Sequence, residues 1–166
     1  ATDKWNISDA AADYIFTSNQ LLDFSLPGTL KVIVYPETWV RAKDKTKYFP
    51  IFQDSGYVGS EIRSEQMNFV MIDCFNDGAD SFAYLDQLAN DPSVVICLSS
   101  TNKSAMQSVR RMYAELMNRG IKNPVINITD SSWQTADEHL IHFATETGAL
   151  FLEGMGEGIC LGMTRS

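Results

Sequence analysis

The sequence predicts an α/β domain: an abbreviated (β/α) barrel-like fold with mostly parallel strands and fewer than eight helices. From Met67 onward, short apolar runs alternate with amphipathic stretches, which is the order of strand–helix units in a parallel sheet. The predicted strands are nearly all apolar, as expected of strands that are covered on both faces. A complete eight-fold barrel needs about 250 residues, whereas this chain has 166. An open doubly wound sheet also satisfies the alternation.

The N-terminal part of the chain predicts two strands followed by an irregular stretch. β-Type runs at residues 13–17 and 30–35 are bounded by polar or turn-forming residues, and Pro36 ends the second run. Residues 37–59 contain apolar side chains without a clean period. We expect irregular structure there, with one short helix or strand. Residues 67–73 predict a clearer strand because they are almost entirely apolar.

The C-terminal part predicts strands and helices in regular succession. Apolar residues at three-and-four spacing predict helices, and short apolar runs predict buried strands. The elements are a helix over 79–89, a strand over 94–98, a helix over 105–117 capped by Thr101 or Asn102 and stopped by Gly120, a strand over 125–128, and a helix over 135–147 that ends at Gly148.

A glycine-rich segment closes this alternation. Glycine occupies positions 154, 156 and 158, between the apolar runs 149–152 and 159–161. Short apolar runs punctuated by glycine predict two buried strands joined by a tight turn, with Gly154, Gly156 and Gly158 as its structural residues. A phosphate cradle is the alternative. It is disfavoured because the spacing is not GxGxxG and because Glu153 and Glu157 would repel a phosphate.

Polar residues gather where the later strands are predicted to end. Asp73, Ser99, Asp130 and Glu153 occupy these positions, and the carboxyl ends of parallel strands are where α/β folds bind ligands. These four residues are the candidate lining of a carboxylate-bearing pocket for metal or acid–base chemistry. The favoured alternative is that they cap the turns and helices that follow the strands.

The remaining titratable residues predict no catalytic or metal site. His139 and His142 lie three positions apart on one predicted helix without a zinc-binding motif, so a solvated helix face is favoured. Cys74, Cys97 and Cys160 lie in or at the end of apolar strands, where a thiol acts as a small hydrophobe. We assign no catalytic, cofactor-binding or metal-binding residue to this chain.

Composition limits the partners and the compartment. The net charge of −8 argues against nucleic acid, which needs clustered Lys and Arg. No apolar run approaches the roughly 20 residues that a membrane helix requires. Three dispersed cysteines without a CxxC pair indicate reduced thiols in a cytoplasmic compartment. We expect residues 1–166 to form one domain, and the missing initiator Met suggests excision from a larger multidomain protein.

The segment from Glu146 to Leu161, ETGALFLEGMGEGICL, resembles part of one enzyme family. The family is (E)-4-hydroxy-3-methylbut-2-enyl diphosphate synthase, also called GcpE or IspG, of the methylerythritol phosphate pathway of isoprenoid biosynthesis. In its three-domain form, an inserted barrel-like domain ends in a pattern like GALLxDGLGDGxLL. The order of strand, helix, Asn-Pro strand and helix before the segment also fits. The convincing match covers about the last third of the chain.

The resemblance implies an inserted middle domain and no chemistry of its own. The chain lacks the arginine that follows the glycine run in the family's catalytic barrel, where it has Ile159 and Cys160, and it lacks the CPxC motif of the family's cluster domain. The implied function is that of a spacer that positions the [4Fe-4S] domain of the parent protein over its catalytic barrel. The implied partners are those two domains, with ferredoxin or flavodoxin as electron donor, in the cytoplasm or in a plastid. A small α/β enzyme and a ligand-binding or interaction domain are the alternatives.

Overall fold

The computed structural model describes residues 11–75, 83–101 and 104–163. Within these ranges the chain forms seven strands: β1 Tyr14–Ser18, β2 Lys31–Val34, β3 Tyr48–Gln53, β4 Asn68–Asp73, β5 Val94–Ser99, β6 Val125–Ser131 and β7 Gly158–Met163. The helices are α1 Pro36–Arg41, α2 Leu85–Ala89, α3 Ala105–Asn118 and α4 Ala136–Leu152, with a 3-10 turn at Asp54–Tyr57.

The strands form one parallel sheet in which spatial order equals chain order, from β1 to β7. Each crossover therefore advances by one strand in the same direction, which places the four helices of the described residues on one face and curls the sheet around the other. The curl is visible at Tyr14 and Phe69. Their rings meet edge to face at 5.5 Å, although their strands, β1 and β4, are separated by two others. The sheet is a half-barrel, which confirms the predicted fold class.

The concave face and the helix-covered face each carry an apolar core. On the concave face Phe49, Ile51, Phe69 and Cys97 are buried against one another. On the outer face, α2, α3 and α4 contribute apolar side chains that pack over the alternate residues of β4 and β5, while α1 packs over β2 and β3. Both faces of the central strands are therefore covered, as their apolar sequences predicted.

Helices α3 and α4 end in the same way. The amides of Gly120 and Ile121 donate to the carbonyls of Met117 and Leu116, and the amides that follow α4 repeat the pattern. These paired bonds form a Schellman motif, which needs a residue with positive φ, and Gly120 and Gly154 supply φ values of 68° and 74°. The stop predicted at Gly120 is confirmed. The cap of α3 falls on Ser104, not on Thr101 or Asn102.

The prediction for residues 149–152 is wrong. This run is the last turn of α4, which continues through Gly148 to Leu152, so the glycine segment joins a helix to one closing strand. Glycine in a helix costs only about 1 kcal/mol relative to alanine. Burial of Thr147 and Leu150 against the sheet side of α4 outweighs that cost.

The stretch 37–59, predicted to be irregular, contains regular elements, and the helix predicted over 79–89 is described only in part. Residues 48–53 form β3, and its first five residues are buried. The short helix allowed within 37–59 is α1. The helix predicted over 79–89 is described as α2 from Leu85 to Ala89, and its predicted first residues, 79–82, lie outside the described ranges.

Candidate functional site

A cavity of about 240 Å³ lies at the carboxyl ends of β5 and β6, between α3 and α4. Its polar lining includes Ser99, Asn127, Thr129, Asp130, His142 and Glu146. Pockets for drug-sized ligands usually measure roughly 300 to 1,000 Å³. This cavity therefore has room for a smaller molecule only, placed where α/β sheets commonly bind ligands.

Ser99 and Asp130 are the two predicted site residues that the fold brings together, because both line this cavity. Asp73 lies one strand away, in register with Ser99 at the ends of β4 and β5. Its carboxylate accepts hydrogen bonds from the Thr101 hydroxyl at 3.1 Å and the Phe75 amide at 3.0 Å. Asp73 thus organises the turn after β4, which is the capping role that the sequence favoured.

Glu153 lies at the end of a helix and not at the end of a strand. It is the C-cap residue of α4, and its carboxylate pairs with the Arg110 guanidinium of α3 through two hydrogen bonds, one of them 2.8 Å from Arg110 Nε to Oε2. This pair links α3 to the C-terminal end of α4, and Glu153 does not line the cavity. Glu153 was predicted to lie at a strand end because residues 149–152 were predicted to form a strand, whereas they form the last turn of α4.

The glycine turn is closely packed against the sheet. A Cβ on Gly156, whose φ is 107°, would lie 2.8 Å from both Tyr113 Oη and Asn127 Nδ2. Those two side chains are bonded to each other, with Tyr113 Oη donating to Asn127 Oδ1 at 3.0 Å, and Asn127 Nδ2 donates to the Met155 carbonyl at 2.9 Å. Burial raises the pKa of Tyr113. Gly156 is therefore required by both backbone conformation and space.

Gly158 and Gly162 lie farther along the same connection, in β7. Gly158 is the first residue of β7, and Gly162 lies opposite Asp130 of β6. A Cβ on Gly162 would lie 1.9 Å from Asp130 Oδ1, so the aspartate side chain rests over this glycine. The three glycines that we predicted as one turn therefore divide between the end of α4, the connection and the start of β7.

The two histidines of α4 contact β6. His142 Nε2 lies 3.1 Å from the Asp130 carbonyl, and His139 Nδ1 lies 2.6 Å from Ser131 Oγ. Both rings are half-buried against β6, not on the solvated face that we expected. The signal was available, because positions 139, 142 and 146 share a helix face with the buried residues Thr147 and Leu150.

The three cysteines are free thiols in the sheet region. Burial raises the pKa of Cys74 to about 12 and also raises the pKa values of Cys97 and Cys160. A thiol with a raised pKa is a poor nucleophile and a poor metal ligand at neutral pH. Among the residues with described positions, no group of three or more His, Cys, Asp and Glu side chains is arranged to hold a metal ion.

Comparison with known proteins gives one partial match in sequence. The chain is similar to the 4-hydroxy-3-methylbut-2-en-1-yl diphosphate synthase (flavodoxin) of Phocaeicola vulgatus, with 36% identity over 70 residues. The match covers 42% of this chain and 11% of that synthase. It supports a relationship to the family that the glycine segment resembles, and to isoprenoid biosynthesis, without reaching the inserted domain in particular.

No protein-family model matches the chain, and no solved structure matches it. In the described ranges, no helix has both the length and the apolar character needed to span a bilayer.

Proposed function

We propose that this chain is a structural spacer domain of a protein related to the 4-hydroxy-3-methylbut-2-en-1-yl diphosphate synthases. In this proposal it positions a [4Fe-4S] domain over a catalytic barrel. The observation that carries the proposal is the 36% identity over 70 residues to such a synthase. Because the matched segment is only 11% of that synthase, the substrate and cluster chemistry is assigned to other parts of the protein.

The fold supplies the stiffness that a spacer needs. Seven hydrogen-bonded strands within the described ranges share the apolar clusters on both sides of the sheet. Closely packed interiors resist compression and keep the distances between their surfaces fixed. A spacer of fixed span raises the effective concentration of one flanking domain at the other, whereas a flexible linker spreads it over a large volume.

The proposal is tested by replacing the matched segment in the Phocaeicola vulgatus synthase. One variant carries the matching stretch of this chain, and the second carries a Gly/Ser linker with the same number of residues. We expect the first to retain turnover within about threefold. We expect the second to lose at least about tenfold, because a flexible linker does not hold a fixed geometry.

Iron content and cluster absorbance are measured in both variants as the control. Equal cluster content with unequal turnover supports a positioning role. A Gly/Ser variant as active as the wild type contradicts the spacer function. So does an iron–sulfur spectrum from this chain alone after anaerobic reconstitution with iron and sulfide, since we expect the isolated chain to remain colourless.

The alternative of a small ligand-binding domain is favoured by the cavity at the ends of β5 and β6. Its lining residues include Glu146, His142 and Ser99, a set that suits a small molecule bearing an amine. Titration of the chain with small amines, followed by amide NMR shifts of Ser99 and Thr129, tests it. Shifts that persist in the Glu146→Gln variant would contradict binding at this cavity.

A further inference from the structure

Exposed apolar side chains are concentrated on α4 and on the neighbouring strand β7. On α4, Leu140, Ile141 and Leu152 are 67%, 66% and 92% exposed. On β7, Ile159, Leu161 and Met163 are 48%, 46% and 67% exposed. We call these six residues, together with Phe151, the α4–β7 face. Single exposed apolar residues are common, whereas contiguous patches mark interaction surfaces.

Strand register places the two halves of this surface side by side. Thr129 and Ser131 of β6 contact Thr147 and His139 of α4, so they lie on the helix-covered side of the sheet. Leu161 and Met163 are their partners in β7, and Ile159 is the partner of Asn127. All three β7 side chains therefore lie on the same side of the sheet as α4, next to it.

The dimensions and shape of this surface suit one helix. On α4, Leu140 and Phe151 lie about three turns apart on one side, and Ile141 and Leu152 lie about three turns apart on the adjacent side. The two pairs span about 18 Å at 1.5 Å per residue. The six residues of β7 extend about 20 Å. Together they form a floor and a wall that accept a helix of about 12 to 14 residues, packed about 8–10 Å from the axis of α4.

The topology of the described sheet favours a helix over other occupants. Helices α3 and α4 pack on the outer face, and the side chains of β5 and β6 beneath them are largely covered. The outer side chains of β7 lack this cover within the described residues. A helix beside α4 would extend the layer in the direction that the right-handed crossovers already follow.

The charges near this surface indicate whether a second copy of the chain or a different helix would bind it. Residues 123–163, which contain α4 and β7, include six carboxylates and neither Lys nor Arg. Asp137 and Glu138 precede Leu140 on α4, and Glu157 precedes β7, so these three flank the α4–β7 face in sequence. The other three lie elsewhere: Asp130 packs over Gly162, Glu146 lines the cavity and Glu153 is paired with Arg110. A second copy of the chain docked face to face would bring the flanking charges together, and like-charge juxtaposition disfavours association. A helix with Lys or Arg beside its apolar stripe is complementary instead.

We propose that the α4–β7 face is the docking surface for an amphipathic helix with a basic rim, contributed by another domain of the longer polypeptide. The proposal rests on the proposed spacer function, since a spacer must be fixed to the domains that it separates. It identifies which surface of this chain forms that contact and which partner chemistry fits it.

The test uses the chain with a synthetic peptide of about 14 residues, which has a leucine stripe and a lysine rim. A matched peptide carries glutamate at each lysine position. We expect the lysine peptide to bind at least about tenfold more tightly, with an affinity that falls as salt rises, because exposed charges are screened. Amide NMR shifts should be confined to α4 and β7.

Variants of the chain locate the binding surface. Ile141→Gln on α4 and Leu161→Thr on β7 each remove one apolar contact, and we expect each to weaken binding by about tenfold. Met117→Gln is the control, because Met117 is a 76% exposed apolar residue on α3, outside this face. It should leave the affinity unchanged.

Three results would overturn the proposal: equal binding of both peptides, wild-type affinity in both α4–β7 variants, or sedimentation as a dimer that Ile141→Gln dissociates.

The linker experiment in the synthase gives an independent result. If the linker variant is fully active while the lysine peptide binds at this face, the spacer function fails and the docking surface stands. If the linker variant is inactive and the peptide does not bind, the spacer function stands and this surface is not its contact.

Discussion

Gly156 is constrained by both its backbone conformation and its surroundings. Its φ of 107° and the 2.8 Å approach to Tyr113 Oη and Asn127 Nδ2 predict that Gly156→Ala will be destabilising. We expect a loss of about 1–3 kcal/mol in the free energy of unfolding from the backbone conformation, with an added cost for displaced hydrogen bonds. Urea denaturation followed by circular dichroism measures the change.

Gly59→Ala is the matched control for this substitution. A Cβ at Gly59 would meet nothing within 4 Å, and its φ lies outside the positive region. We expect the free energy of unfolding to stay within about 0.5 kcal/mol of wild type or to rise slightly, because alanine reduces the entropy of the unfolded chain. Equal losses in Gly156→Ala and Gly59→Ala would contradict a specific role for Gly156.

The rate at which a reagent modifies the buried thiols should depend on pH and on whether the chain is folded. Burial raises the pKa of Cys74 to about 12 and raises that of Cys97, so almost no thiolate exists at either residue near pH 8. We expect a disulfide reagent to modify Cys160, which is half-buried on edge strand β7, before the other two. The rate at Cys74 and Cys97 should rise with pH and with denaturant.

Mass spectrometry of the modified chain identifies the order of reaction. Cys160→Ser should remove the fast phase and leave the two slow thiols unchanged. Rapid modification of Cys97 in the absence of denaturant would show that the concave core opens readily, against its 3% exposure.

At the scale of elements, the start of α4 is fixed by a capping box. The Thr135 hydroxyl accepts from the Glu138 amide at 3.3 Å, and the Glu138 carboxylate accepts from the Thr135 amide at 3.0 Å. We expect Thr135→Ala to cost about 1 kcal/mol of unfolding free energy and Thr135→Ser to restore most of it. Thermal unfolding at pH 7 provides the measurement.

The same capping box predicts how that difference depends on pH. Hydrogen bonds from the Thr135 side chain and backbone lower the pKa of Glu138 in the folded state. A lowered carboxyl pKa stabilises the fold above the unfolded pKa of about 4.3, and this stability is lost as pH falls through the lower, folded value. The gap between wild type and Thr135→Ala should therefore narrow below about pH 4. A constant gap down to pH 2 would contradict this cause.

Sequence patterns predicted the elements whose apolar period is unambiguous. Helix α3 repeats apolar residues at three-and-four spacing, and β4, β5 and β6 are short apolar runs with β-branched residues; the structure confirms all four within a few residues. Run 149–152 is four apolar residues after a glycine, which fits the last turn of a buried helix as well as a strand. Contacts of Thr147 and Leu150 with the sheet, rather than local propensity, decide in favour of the helix.

The candidate site was predicted only where strand ends were correctly located. Ser99 and Asp130 follow predicted strands and line the cavity, whereas Glu153 followed the wrongly predicted strand and pairs with Arg110. The orientation of His142 was predictable from the helix face that it shares with Thr147 and Leu150, whereas its contact with the Asp130 carbonyl depends on how α4 packs against β6. Strand β3 was missed because its YFPIFQ run contains a proline and lacks alternation, since both of its faces are buried.

At the scale of the whole molecule, the concave core joins elements that are distant in sequence. Tyr14 of β1 contacts Phe69 of β4, and Phe69 belongs to the same cluster as Cys97 of β5 and Ile126 of β6. Helix-covered clusters on the outer face are divided, with one over β2 and β3 and another over β4 to β6. Cooperative unfolding of the two ends of the half-barrel therefore depends on side-chain contacts in the concave core and on the backbone hydrogen bonds between strands.

This arrangement predicts that Phe69→Ala weakens both ends of the sheet together. Phe69 is 1% exposed, and truncating a buried phenylalanine costs about 3–5 kcal/mol. In a background carrying Trp5→Phe and Trp133→Phe, Trp39 is the remaining tryptophan, so fluorescence reports on the region beside β2 and β3, while circular dichroism reports mainly on α3 and α4. We expect both signals to shift to lower urea by the same amount, because coincident transitions indicate one cooperative unit.

Phe16→Ala, at a 47% exposed site, should shift neither by more than a small fraction of that change. Separation of the two transitions in Phe69→Ala would mean that the half-barrel unfolds as two independent parts, and a rigid spacer could not then transmit a fixed geometry from one end to the other.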